Sequence, residues 1–406
     1  MKTSVYLLSA AAIALSTTSA LGGSFAIKEG SVSSQGMSFA NYSAGAEDIT
    51  HIYQNPAALQ RVTGDHMTVG VTASGIFPEA DGDFDATGAL GGVGGDGSPS
   101  KDALVPGTYM GFRINPQLAV GMSITSPFGL RTEYDGGDPS VATNEATETD
   151  LKLIVATPMI SGEIMNGVTA GAGFSIAYAD LTFNSAGPAS LEYRGDDLSF
   201  GFIIGMLADI TETTTVGVAY RSGFKLDAEG RVGGDAIGGA EFSGTNFEAD
   251  APGVASIGIK QELTETVDLS LEAQWQNWSV LDEAVISNAN GLEITETFGY
   301  EDAFYLAAGL EYEATDALKL RTGVAWDQTP TTDEDRSIRI PDEDRIWLSV
   351  GASYDLTETI TIDAAYSYLK TLEDPKVDIE TAGFETGSAE FDAQVHILSI
   401  GASMDF

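Results

Sequence analysis

The sequence predicts an all-β chain: a 14-stranded antiparallel transmembrane β-barrel with an N-terminal hatch in the lumen. Three observations point there. The N-terminus has the form of a secretory signal, no later stretch is apolar for long enough to be a membrane helix, and the second half alternates apolar and polar residues with a period of two.

At the N-terminus, Lys2 sits in a short basic start, Val5 to Leu15 is apolar, and Thr18-Ser19-Ala20 is a small-residue cleavage site. The apolar run is too short to span a bilayer, so residues 1–20 are expected to be a signal peptide that is removed on export.

Composition limits the function class. The chain has no cysteine, which excludes a disulfide framework or a thiolate metal site. Its three histidines, His51, His66 and His396, are far apart, so neither a histidine metal centre nor a Ser-His-carboxylate set is expected. The net charge of −41 excludes nucleic acid as a partner, because phosphate binding needs Lys and Arg. The acidic runs Asp81-Gly82-Asp83-Phe84-Asp85 and Asp333-Glu334-Asp335 lack a full calcium-loop spacing and are taken as solvated charge. No cofactor, metal or catalytic residue is predicted.

The alternation defines the strands. In Val267–Trp275 the odd positions are Val, Leu, Leu, Ala and Trp, and the even positions Asp, Ser, Glu and Gln. Successive side chains point to opposite faces of a strand, so one face is apolar and the other polar. The same pattern recurs from Ile346, from Ile360 and from Leu398 to the terminal Phe406. Fourteen such segments are expected, the first near 66–76, the third near 118–126, the seventh near 214–230 and the last near 393–406, within a barrel domain of 66–406. Short turns such as Asn115-Pro116-Gln117 and Thr264-Glu265-Thr266 alternate with long Gly- and Asp-rich loops. That is the rhythm of an outer-membrane barrel with periplasmic turns and external loops. Strand parity then places Tyr312, Tyr354 and Phe406 on the lipid face at one rim. It places Tyr220, Trp275, Trp326, Tyr366 and Tyr368 on that face at the other, as two aromatic girdles.

Residues 21–65 precede the first strand and are small and polar. On composition they are either a disordered tail or a hatch folded into a lumen that side chains alone would not fill. Phe25 and the turn Asn55-Pro56-Ala57 are the candidate hatch contacts.

Gly23-Ser24-Phe25-Ala26, Asn55-Pro56-Ala57, Ser126-Pro127-Phe128-Gly129, Trp275-Gln276-Asn277-Trp278-Ser279, Gly323 to Pro330 and Arg339 to Arg345 occur in order along the strands. In these the chain resembles the FadL-type outer-membrane transporters of long-chain fatty acids and other hydrophobic compounds. The resemblance implies a monomer of the bacterial outer membrane, in contact with lipid and lipopolysaccharide, that takes up apolar substrates passively. It also implies a kink in the third strand that opens the wall beside the hatch, with Gly121 the expected neighbour. Uptake of this kind needs an apolar catch, for which Phe128, Leu130, Leu181 and Phe183 are candidates on outer loops, and a cation for a substrate carboxylate. By parity Arg221, Lys225, Arg321 and Arg345 face the lumen, where most are expected to pair with carboxylates. Long-chain fatty acid is the first substrate reading. An aromatic or alkane hydrocarbon is the second, and a general aqueous porin is the third.

Overall fold

A computed structural model describes residues 25–85, 95–134, 146–185, 190–381 and 384–406; the expected signal peptide lies outside these. Fourteen antiparallel strands form a closed wall. They are Met67–Asp85, Ala103–Asn115, Leu118–Thr125, Glu148–Met165, Val168–Ser185, Leu191–Thr211, Thr214–Arg221, Val254–Thr264, Val267–Gln276, Ala303–Thr315, Leu318–Asp327, Arg345–Thr357, Ile360–Thr371 and Phe384–Asp405. The first and last pair from Thr68↔Asp405 to Asp85↔Ser388, which leaves no sheet edge in lipid. The expected lipid face is observed. Leu271, Tyr312, Trp275, Tyr354 and Phe406 are exposed on the outside, whereas Ser270, Glu272, Gln274 and Gln276 are buried within.

Several strands, the first, fourth, fifth, sixth and last among them, run further outward than the alternation suggested, and the first shows why. Up to Phe77 its outward residues are apolar (Val69, Val71, Ala73) and its inward ones small or polar (Thr68, Gly70, Thr72, Ser74). From Ile76 the inward side turns apolar, and past Phe77 the outward side turns acidic. Glu79, Asp81, Asp83 and Asp85 point out, and Ile76, Ala80 and Phe84 point in. The outside is lipid at the lower level and water above it, so one ladder carries two opposite patterns. The first acidic run therefore decorates the outer collar, whose inward residues contribute to two apolar clusters above the lumen.

Residues 25–64 fold inside the barrel. They contain only three short helical turns, Val32–Gln35, Ile49–Tyr53 and Ala58–Val62, and nearly every residue is buried. Caps set the turns: Ser31 Oγ accepts from Ser34 N–H, and Asp48 Oδ1 accepts from Thr50 N–H at 2.7 Å. The wall makes room for this segment by omitting side chains. A Cβ at Gly217 would run into the Ser43 carbonyl, and one at Gly323 into the Met37 backbone. Asn55 bolts the segment to the wall. Its Nδ2 donates to Ser43 O at 2.7 Å and to Met206 O of the sixth strand at 3.2 Å, while its Oδ1 accepts from Ala57 N–H. Pro56 lies against Gly171, and the Ala57 carbonyl accepts from Ser161 Oγ at 3.0 Å.

Candidate functional site

The third strand is interrupted. Leu118–Thr125 pairs with the second strand as far as Ile124↔Thr108 and with the fourth as far as Thr125↔Val155. After Ser126-Pro127-Phe128 the strand resumes as Gly129–Glu133, paired only with the fourth, from Gly129↔Lys152. Three residues thus oppose two, a bulge that bends the strand away from the second until Ser100 meets Thr132. Proline at 127 has no N–H to give to a ladder, which suits the break. Gly121 is regularly paired on both sides, opposite Gly111 and Met159, so the kink falls several residues later than expected.

The lumen segment covers the gap. Ile27 N–H donates to Pro127 O at 2.9 Å, and Gly129 N–H donates to Phe25 O at 3.0 Å. Residues 25–27 therefore supply the backbone partners that the second strand does not. The Phe25 ring packs edge-on against Trp278 at 4.9 Å and Phe128 at 5.8 Å.

On the outer side of Phe25 lies a narrow apolar pocket with a cavity volume of about 50 Å³, part of it open to the exterior. Phe25, Leu130, Leu181, Phe183, Leu226 and Phe247 line it, with Arg339 as its cation. The Arg339 guanidinium lies 3.7 Å over the Phe183 ring and donates to Thr149 Oγ1 at 3.0 Å and Asn184 O at 3.1 Å, with Glu296 at 3.6 Å.

The four predicted catch residues are brought together with Phe25 in one cluster. They are not on outer loops, however. Leu181 and Phe183 are inward residues of the fifth strand, Leu130 belongs to the resumed third strand, and Phe128 lies in the bend. The inverted polarity of the outer collar had made them look like loop residues.

Of the predicted cations, none lines this pocket. Arg221 stacks 4.2 Å over Tyr53 and donates to its carbonyl, clamping the lumen segment. Arg321 pairs with Glu311 at 2.6 Å, and Arg345 pairs with Asp342 at 2.6 Å and Asp327 at 2.9 Å. Lys225 is a correction. It is exposed on the outside, because the ladder breaks at Ser222-Gly223 and the parity carried through from Thr214 does not hold beyond it. Arg339 was not singled out as a site residue. It sits in a connecting segment where strand parity gives no direction.

A charged cluster secures the lower part of the lumen segment. His51 Nε2 lies 2.8 Å from Glu47, and Lys260 of the eighth strand holds the other Glu47 oxygen at 2.8 Å. Burial opposes charge on the imidazole, but the Glu47 and Asp48 carboxylates outweigh it and push His51 up to about 10. Burial likewise opposes charge on Glu47, and is outweighed by Lys260 and His51, which hold its carboxyl well below the ordinary value. The His51 contribution is complete below its unfolded value, near 6.5, and is lost only as pH rises through about 10, so the cluster holds in neutral conditions.

The family model described as outer membrane protein transport protein (OMPP1/FadL/TodX) matches residues 13–406. The chain belongs to this family. It is a β-barrel of the bacterial outer membrane, and the family is one of transport proteins. The chain is 28% identical to the 47 kDa outer membrane protein of Pasteurella multocida, covering 89% of this chain and 91% of that one. It is 26% identical to the long-chain fatty acid transport protein of Escherichia coli K12, covering 89% and 90%. The crystal structure of a Pseudomonas aeruginosa FadL homologue superposes with a TM-score of 0.81 at 22% identity, over 94% of this chain and all of that one. The Ralstonia pickettii toluene transporter TbuX gives 0.67 at 17% identity, over 91% and 98%. At these identities the two structures show a shared fold.

Proposed function

We propose that this protein, acting as a monomer, carries hydrophobic compounds passively into the cell, with long-chain fatty acids as its principal substrate. The carrying observation is the apolar pocket with Arg339 in its wall, separated from the gap in the third strand only by Phe25 and its partners. An apolar tail enters between these side chains, and the guanidinium is placed to orient an acid. Residues 25–27 act as the hatch: when they leave Pro127 and Gly129, the pocket communicates with the break in the wall. The relatives named as long-chain fatty acid transport proteins support this substrate class. An aqueous porin is disfavoured, because residues 25–64 occupy the lumen.

A hydrocarbon is the alternative occupant, favoured by a lining that is otherwise almost wholly apolar. Leu181→Asp tests the pocket itself. It places a carboxylate among apolar side chains, where charge is costly. Titration of the purified barrel with oleate should show at least about a tenfold loss of affinity, since removing a buried Leu contact alone is worth about 1.5–3 kcal/mol. Oleate binding as in the wild type would place the substrate elsewhere. Parallel titration with hexadecane or toluene decides between acid and hydrocarbon.

A further inference from the structure

A second break in the wall lies between the sixth and seventh strands. Among the described residues, their pairing ends at Ile203↔Arg221 and resumes only at Asp196↔Glu229, on the continuation Phe224–Gly234. Between these points residues 222–228 face residues 197–202, seven against six. One backbone bond persists at the lower end, from Ser222 N–H to Phe202 O at 2.9 Å. Side chains take over much of the remaining closure. Ser222 Oγ accepts from Phe202 N–H at 2.9 Å, Ser199 Oγ donates to Lys225 O at 2.6 Å, and Asp197 Oδ2 accepts from Asp227 N–H at 3.2 Å.

Phe224 backs this seam from within. It is buried, and its ring takes the space that a Cβ on Gly201 would need. It belongs to the same apolar cluster as Phe25, and Leu226, two residues on, lines the Phe25 pocket. Outside, Leu198 and Phe200 stand beside the seam, each more than half exposed. Just below them, Phe202 packs on Tyr220 of the outer aromatic girdle at 5.8 Å. Above them, Asp196 and Glu229 face out. The seam therefore lies at the outer lipid–water boundary, with apolar side chains on both of its faces.

We propose that this seam is a side port, through which uncharged hydrophobic compounds dissolved in the outer leaflet enter the Phe25 pocket. The inference rests on the transport reading above. Charge sets the substrate class. Asp196, Asp197, Asp227 and Glu229 surround an open hollow on the outer side of the seam, together with Tyr178 and Leu198. Lys225 points outward beside them, but directly opposite Asp250, which offsets it. Four carboxylates at the mouth repel a fatty-acid anion, whereas an alcohol or a hydrocarbon meets no such barrier. Anions are left the opening of the pocket to the exterior, whose wall carries Arg339.

The chain has no cysteine, so a clasp can be placed across the seam alone. Phe200→Cys with Lys225→Cys sets one thiol on each side, both on the outer face, to be joined by a short reducible cross-linker. Cells making this double variant are given labelled oleyl alcohol and, separately, labelled oleate, before and after cross-linking. The clasp should slow entry of the alcohol severalfold and reduction should restore it, while entry of oleate stays as it was. Phe224→Ala removes the backing ring and should speed the alcohol but not the acid. Alcohol entry unchanged by the clasp or by Phe224→Ala overturns the port. So does an equal loss for both compounds on cross-linking, which would mark the seam as a structural joint of the wall. Failure of the transport reading looks different: the protein without a clasp would then carry neither compound faster than a vector control.

Discussion

Deleting residues 26–62 should convert a closed barrel into a conducting one without preventing its insertion. The wall is closed by its first and last strands, and the only wall pairing the deletion removes is that of residues 26–27 with the bend after the third strand. What the deletion removes is the filling. A barrel of fourteen strands encloses more space than inward side chains occupy. Here that space is further widened by positions such as Gly217 and Gly323, which leave room for the backbone of the lumen segment. Without that segment, the lumen is lined by Thr68, Ser123, Ser270, Arg321, Asp363 and similar polar groups, and it should fill with water. Single-channel recording should show open currents where the intact protein shows none, and cells carrying the deletion should admit bulky hydrophilic antibiotics. A deletion barrel that stays closed to ions would show that the segment does not hold the lumen shut.

Leu271→Arg should destabilise the barrel by about 2–4 kcal/mol, the cost of a basic side chain on the lipid face near the midplane. Leu271 is 45% exposed on the outer face and lies in register with Ile259 and Ala308. It is midway between Val267 at the periplasmic turn and Trp275 in the outer girdle. Leu271→Val keeps the face apolar and should cost far less. Urea unfolding of the two variants from lipid vesicles measures the difference, and equal midpoints would contradict the membrane placement of this strand.

The membrane-level wall was legible because there alternation, lipid exposure and aromatic placement all agree; Val267–Gln276 shows each of them in ten residues. The outer collar was not. Asp81, Asp83 and Asp85 look like a loop when the lipid pattern is assumed throughout, yet they are the outward face of a strand whose inward face is Ala80 and Phe84. The same inversion hid Leu181 and Phe183 as wall residues while leaving their apolar character visible. Lys225 failed for a different reason, because parity does not survive the break at Ser222-Gly223. Arg339 lies outside the regular ladder, and only the folded chain brings it to Phe183. The site is therefore mostly a product of long-range packing, with Asn55-Pro56-Ala57 as the part whose turn chemistry was local enough to see.

The most direct test of the central claim is uptake. Cells lacking their own fatty-acid transporter, and expressing this protein or the empty vector, are given labelled oleate and, separately, a labelled hydrophilic sugar of similar mass. A plugged barrel with an apolar pocket predicts faster entry of oleate through the protein, with sugar entry no different from the vector control. Faster entry of the sugar together with unchanged entry of oleate would contradict it, and would identify the lumen as an aqueous pore.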